Sequence, residues 1–107
     1  MKPLRYFIDT HDKANGSSPE ALTPEQFEGF YARYQDACRA EGVVPVRTDI
    51  SYADGRAFCL NLAEDAEAVR RAHARVGLPF ATITEVTSAT PGDTFNRRQS
   101  HFSSSTV

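Results

Sequence analysis

Asp9 and His11 are separated by one residue in the stretch RYFIDTHD. On a strand, residues two apart point the same way, so a carboxylate and an imidazole would project side by side. Such a pair suits a divalent cation, or a general base in which the aspartate orients the histidine. It also suits a strand end that merely faces solvent. Two further residues could join this chemistry: Cys59 in FCL and His73 in AEAVRRAHARV. A thiolate at Cys59 would favour softer ions or a tight Zn²⁺ site. Cys59 would otherwise serve as a small residue in an interface. The second cysteine, Cys38, lies in an aromatic helical stripe and reads as a small core residue. The third histidine, His101, stands in a polar C-terminal stretch and reads as solvated.

These residues need elements to position them. Residues 4–11 alternate with period two and predict a strand, Leu4, Tyr6 and Ile8 on one face and Arg5, Phe7, Asp9 and His11 on the other. The apolar set is expected to face the core. Residues 12–22 form a polar loop, either a solvated insertion or a flap over His11. Residues 23–41 predict a helix capped by Thr23, with Pro24 at its first position and Gln26 closing a capping box. Its apolar stripe is Phe27, Phe30, Tyr31, Tyr34, Ala37 and Cys38, and Gly42 stops it.

A second strand spans residues 43–52, with Val44, Val46, Thr48, Ile50 and Tyr52 on one face, and its Pro45 marks a sheet edge. Asp54-Gly55 turns the chain into a third strand at 57–62, where Phe58, Leu60 and Leu62 alternate with Cys59 and Asn61. Asp65 caps a second helix whose buried stripe is Ala66, Val69, His73 and Val76. Gly77 and Pro79 end it, and residues 80–87 make a fourth strand. Residues 88–107 read as a polar, disordered tail in which only Phe95 and Phe102 are large and apolar. The chain therefore divides into one domain, 1–87, and a tail.

The order β-α-β-β-α-β predicts a ferredoxin-like α+β sandwich. Its four-stranded antiparallel sheet has the order 4-1-3-2, with both helices on one face. Strands one and three are expected as central neighbours running parallel. The other sheet face stays open, ready for a second copy of the chain. If the apolar sets face the helices, Asp9, His11, Cys59 and Asn61 share the open face. Cys38 then lies on the far side, which excludes an intramolecular disulfide. His73 belongs to the helix side, so it reaches the others only around a sheet end, or stays a hydrogen-bonded histidine at the core margin. A metal site requires at least three of Asp9, His11, Cys59 and His73 to converge.

Composition narrows the function classes. The 107 residues are 24% charged and 40% apolar, with a formal charge of −2. No basic stripe points to nucleic acid, and no apolar run approaches the roughly 18 residues of a membrane span. The first residues reach an aspartate too early for a signal peptide. Two cysteines make no disulfide framework and suggest a reducing cytoplasm.

The chain also resembles a family of small nickel-responsive, nickel-binding proteins of ferredoxin-like fold. The matching pieces are Ile8-Asp9-Thr10-His11, Thr23-Pro24-Glu25, Gly42-Val43, Phe58-Cys59-Leu60 and the run AEAVRRAHARVGLPFATITEV. They fall between about residues 5 and 87. The resemblance implies a homodimer that binds Ni²⁺, or Zn²⁺ or another divalent ion, at Asp9, His11, Cys59 and His73. Relatives often carry further histidines where this chain has Tyr31, Leu78 and Thr84, so the resemblance implies a thinner ligand set here. The leading reading is a metal-binding dimer without catalysis. A second reading is a dimeric barrel enzyme or small-molecule binder, with Phe7, Asp9, His11 and Cys59 lining a cavity between two sheets and His11 as base. A third is a dimerisation or regulatory module in which these residues only pack.

Overall fold

A computed structural model describes residues 2–92. The order is β1 (Arg5–Asp12), a 3-10 turn (Lys13–Asn15), α1 (Pro24–Glu41), β2 (Val44–Ser51), β3 (Arg56–Ala63), α2 (Ala66–Arg75) and β4 (Thr82–Val86). The single sheet runs β2-β3-β1-β4, the expected 4-1-3-2 read from the other edge. Of the anticipated tail, residues 88–107, the part beyond residue 92, with Phe95, His101 and Phe102, lies outside the described residues.

Local chemistry sets the element ends. The Thr23 hydroxyl accepts from the Gln26 N–H, and the Gln26 side chain accepts from the Thr23 N–H, so α1 opens on a full capping box. Asp65 accepts from the Ala68 N–H and starts α2. Gly42, with φ of 73°, closes α1 in the left-handed region. Pro45 lies on β2, which is an edge strand as its missing donor requires. A register shift between Pro45 and Arg47 breaks the expected alternation of β2. Val44 therefore shares a face with Arg47 and Asp49, while Pro45 shares one with Thr48 and Ile50. Glu41 at the end of α1 accepts from both Arg71 and Arg75, which ties the two helices together at the surface.

Two expectations are corrected. β1 and β3 run antiparallel, with Asp9 opposite Cys59 and Ile8 opposite Leu60. The crossover makes β2 parallel to β1, and the hairpin then reverses β3. The second correction concerns the faces. Phe7, Asp9 and His11 are buried under the helices, together with Ala57, Cys59, Asn61 and Ala63 of β3. The open face carries Tyr6, Ile8, Phe58, Leu60 and Leu62 instead.

The reason is volume. Ala57, Cys59 and Ala63 on the sheet and Ala37, Cys38, Ala68 and Ala72 on the helices are all buried and all small. Small residues on both sides let the helices sit close to the sheet. Phe7, Tyr34, Val69 and His73 fill the remaining space. Asp9 and Asn61 are tolerated there because no buried side-chain polar atom among the described residues lacks a partner. Both cysteines are free and buried on this same side, not on opposite sides as expected.

Candidate metal centre

Asp9, His11 and His73 converge. One ligand atom from each lies within 4.8 Å of the others, and all three residues are buried. The period of β1 places Asp9 and His11 on the helix-facing side. The stripe of α2 places His73 above them, one turn after Val69. Inverting the sheet faces thus resolves the position of His73, which has no need to reach around a sheet end.

The hydrogen bonds fix how the imidazoles are oriented. His11 Nδ1 lies 2.8 Å from the Pro79 carbonyl and 3.3 Å from the Ser17 carbonyl. His73 Nδ1 lies 2.8 Å from the Val69 carbonyl. Carbonyl oxygens only accept, so both Nδ1 atoms carry the hydrogen. Both Nε2 atoms then face one oxygen, Asp9 Oδ1, at 2.9 Å from His11 and 3.2 Å from His73. The rings lie stacked, with centroids 5.5 Å apart. Backbone carbonyls holding Nδ1–H and leaving Nε2 to point at a shared centre is the outer-shell arrangement of metal-ligating histidines.

The electrostatics agree. Burial alone would raise the Asp9 carboxyl, but the hydrogen bonds and charges of His11 and His73 overcome it and hold the pKa at about 2. Burial works against a charged His11, yet its hydrogen bond to Asp9 lifts its pKa above the ordinary 6.5. The cluster therefore gathers positive charge around a buried anion, which a proton or a metal ion can supply.

Cys59 stands opposite Asp9 in the ladder but is not part of this group of ligand atoms. Its sulfur accepts from the Thr48 hydroxyl at 3.3 Å, and burial pushes its thiol pKa up. Asn61 and Tyr34 are the residues that sequence reasoning missed. The Asn61 amide donates to Asp9 Oδ2 at 2.7 Å, and the Tyr34 hydroxyl donates to Asn61 Oδ1 at 3.1 Å. The available signal was that Asn61 alternates in step with Cys59, which puts a polar residue on the same sheet face as Asp9.

A small cavity of about 50 Å³ adjoins the two histidines, lined also by Leu22, Phe27, Phe30 and Tyr31. Ser17, Ser18 and Pro19 of the 12–22 loop close one side of it. That volume holds on the order of three or four waters, far below an organic ligand site of ~300 Å³ or more. His11 does not line a cavity between sheets, because it faces the helices. The barrel reading that placed Phe7, Asp9, His11 and Cys59 on the open face is thereby corrected.

The family described as "Nickel responsive protein SCO4226-like" matches residues 7–86. The chain belongs to that family. Among solved structures, the crystal structure of SCO4226 from Streptomyces coelicolor A3(2) superposes with a TM-score of 0.69 at 27% identity. The match covers 79% of this chain and 99% of that one. It confirms the ferredoxin-like fold. No curated protein matches. Of the three positions where relatives were expected to carry histidine, Tyr31 and Leu78 line the cavity beside His11 and His73. Thr84 pairs with Ile8 and lies on the open face instead. No helix of the described residues is long and apolar enough to cross a membrane.

Proposed function

We propose that this chain binds a divalent metal ion, Ni²⁺ first and Zn²⁺ second, through Asp9, His11 and His73, as a cytoplasmic homodimer without catalysis. One observation carries the reading. Two buried imidazoles have Nδ1–H committed to backbone carbonyls and Nε2 committed to one carboxylate oxygen. Imidazole and carboxylate donors suit Ni²⁺ and Zn²⁺ alike, and the family description favours nickel. In this reading Cys59 ligates only an ion that displaces its thiol proton, which favours Zn²⁺ there. The small cavity supports binding over turnover of an organic substrate. The two free cysteines fit a reducing compartment. The apolar open sheet face supports the dimer.

Calorimetric titration of Ni²⁺ at several pH values tests the proposal. The ion and a proton compete for His11 Nε2, and the pKa of His11 is raised above 6.5. Apparent affinity should therefore climb with pH until that raised pKa is passed. Below pH 6.5, where His11 is mostly protonated, up to about one proton should leave per ion bound. Uptake of one ion per protomer with this pH slope supports the site. No uptake, or uptake without proton release below pH 6.5, sinks it.

A further inference from the structure

We propose that Asn61 and Tyr34 are positioning residues that hold the Asp9 carboxylate to one free oxygen, and so decide which divalent ions the site accepts. This inference rests on the metal reading above.

A carboxylate offers two oxygens. In this chain they are not equivalent. Oδ1 faces both imidazoles, at 2.9 and 3.2 Å. Oδ2 accepts from the Asn61 amide at 2.7 Å. The orientation of that amide follows from its partners. Its other end accepts from the Tyr34 hydroxyl at 3.1 Å, and a flipped amide would set its oxygen against the carboxylate. The same NH₂ lies 3.5 Å from the Cys59 carbonyl, which also only accepts. Burial pushes the Tyr34 pKa up, so the phenol stays a donor.

The chain Tyr34–Asn61–Asp9 is buried, with its Tyr34 end lining the small cavity. Asp9 and Asn61 are 0% exposed and Tyr34 is 2% exposed. In such a core the carboxylate cannot rotate to offer both oxygens without breaking a hydrogen bond that water would not replace. Tyr34 acts a second way, since its ring packs on His73 with centroids 4.8 Å apart. One residue thus braces a ligand from α2 and, through Asn61, a ligand from β1. A compact first-row ion would need only one carboxylate oxygen beside the two imidazole nitrogens, its remaining positions going to water. A larger ion that takes carboxylates through both oxygens, such as Cd²⁺ or Ca²⁺, must break the Asn61 bond first.

The test compares wild type, Asn61→Ala, Tyr34→Phe and His11→Ala by competitive titration with Ni²⁺ and Cd²⁺, and by the visible spectrum of bound Co²⁺. Asn61→Ala should weaken Ni²⁺ about 10- to 100-fold and shrink the preference for Ni²⁺ over Cd²⁺. Tyr34→Phe removes one hydroxyl and should move the ratio the same way by about two- to ten-fold, with altered Co²⁺ bands. Circular dichroism establishes folding, and if Asn61→Ala does not fold, Tyr34→Phe decides alone. Folded Tyr34→Phe with a wild-type ion ratio and Co²⁺ spectrum overturns the positioning role while the metal reading stands. A wild type that binds none of the three ions, no more than His11→Ala does, overturns both.

Discussion

Asp9→Asn is expected to weaken Ni²⁺ by more than about 100-fold and to destabilise the protein in the absence of metal, the largest effect of any single change in the site. Removing an outer-shell partner costs roughly 10- to 100-fold in metal affinity, and Asp9 is proposed as a ligand itself. The loss of stability has a separate cause. Every partner of Asp9 donates: both imidazoles to Oδ1 when protonated, and the Asn61 amide to Oδ2. An asparagine is uncharged and replaces one acceptor oxygen by an NH₂, so the charge-assisted hydrogen bonds at this buried position are lost. The folded Asp9 pKa of about 2 lies below its ordinary 3.8. A lowered pKa means that the charged carboxylate stabilises the folded state above 3.8, and that this is lost as pH falls through about 2. The contribution at neutral pH is about 2 kcal/mol. Urea unfolding should show a gap of that order between wild type and Asp9→Asn at pH 7, closing as pH falls from 3.8 towards 2. A folded Asp9→Asn protein that binds Ni²⁺ like wild type would contradict the role of this residue.

Ile8→Lys is expected to turn the proposed dimer into a monomer. Ile8 lies on central strand β1, opposite Leu60 on β3 and Thr84 on β4. Tyr6, Phe58 and Val44 share its face at 37%, 36% and 49% exposure, apolar surface that the described residues leave uncovered. In a two-fold interface each residue occurs twice, so one substitution buries two unpaired ammonium groups. At about 2 kcal/mol or more for each, dissociation should rise by roughly 1,000-fold. Analytical ultracentrifugation across a concentration series reads this directly. Asp9, His11 and His73 lie on the other side of the sheet, so the monomer should keep the proposed Ni²⁺ affinity. A variant that remains dimeric would show that the open face is not the interface.

Much of the fold was legible because short-range chemistry dictates it. Thr23, Pro24 and Gln26 announced α1, Asp65 announced α2, and Pro45 marked the edge strand. The order of elements then left few topologies. The direction of β3 against β1 was legible too, since it follows from one crossover and one hairpin, and the expectation of a parallel pair overlooked the reversal. What alternation alone could not decide was which face meets the helices. The rule that the more apolar set packs inward fails when both faces carry apolar residues. Tyr6, Ile8, Phe58, Leu60 and Leu62 are too bulky for close helix packing, and the alanines supplied the better clue. That single inversion hid the site. With Asp9 and His11 placed on the open face, His73 looked stranded and Asn61 looked incidental. With the face corrected, three of the four anticipated ligands meet, and Cys59 stands beside them without joining their group.

The most direct test is nitrogen NMR of the histidine side chains during titration with diamagnetic Zn²⁺. The chain has three histidines, so each can be followed. The account predicts that Nε2 of His11 and His73 shift together on binding while both Nδ1 atoms stay protonated, and that His101 does not respond. Shifts at Nδ1, or at only one of the two buried rings, would contradict a shared metal centre on Asp9.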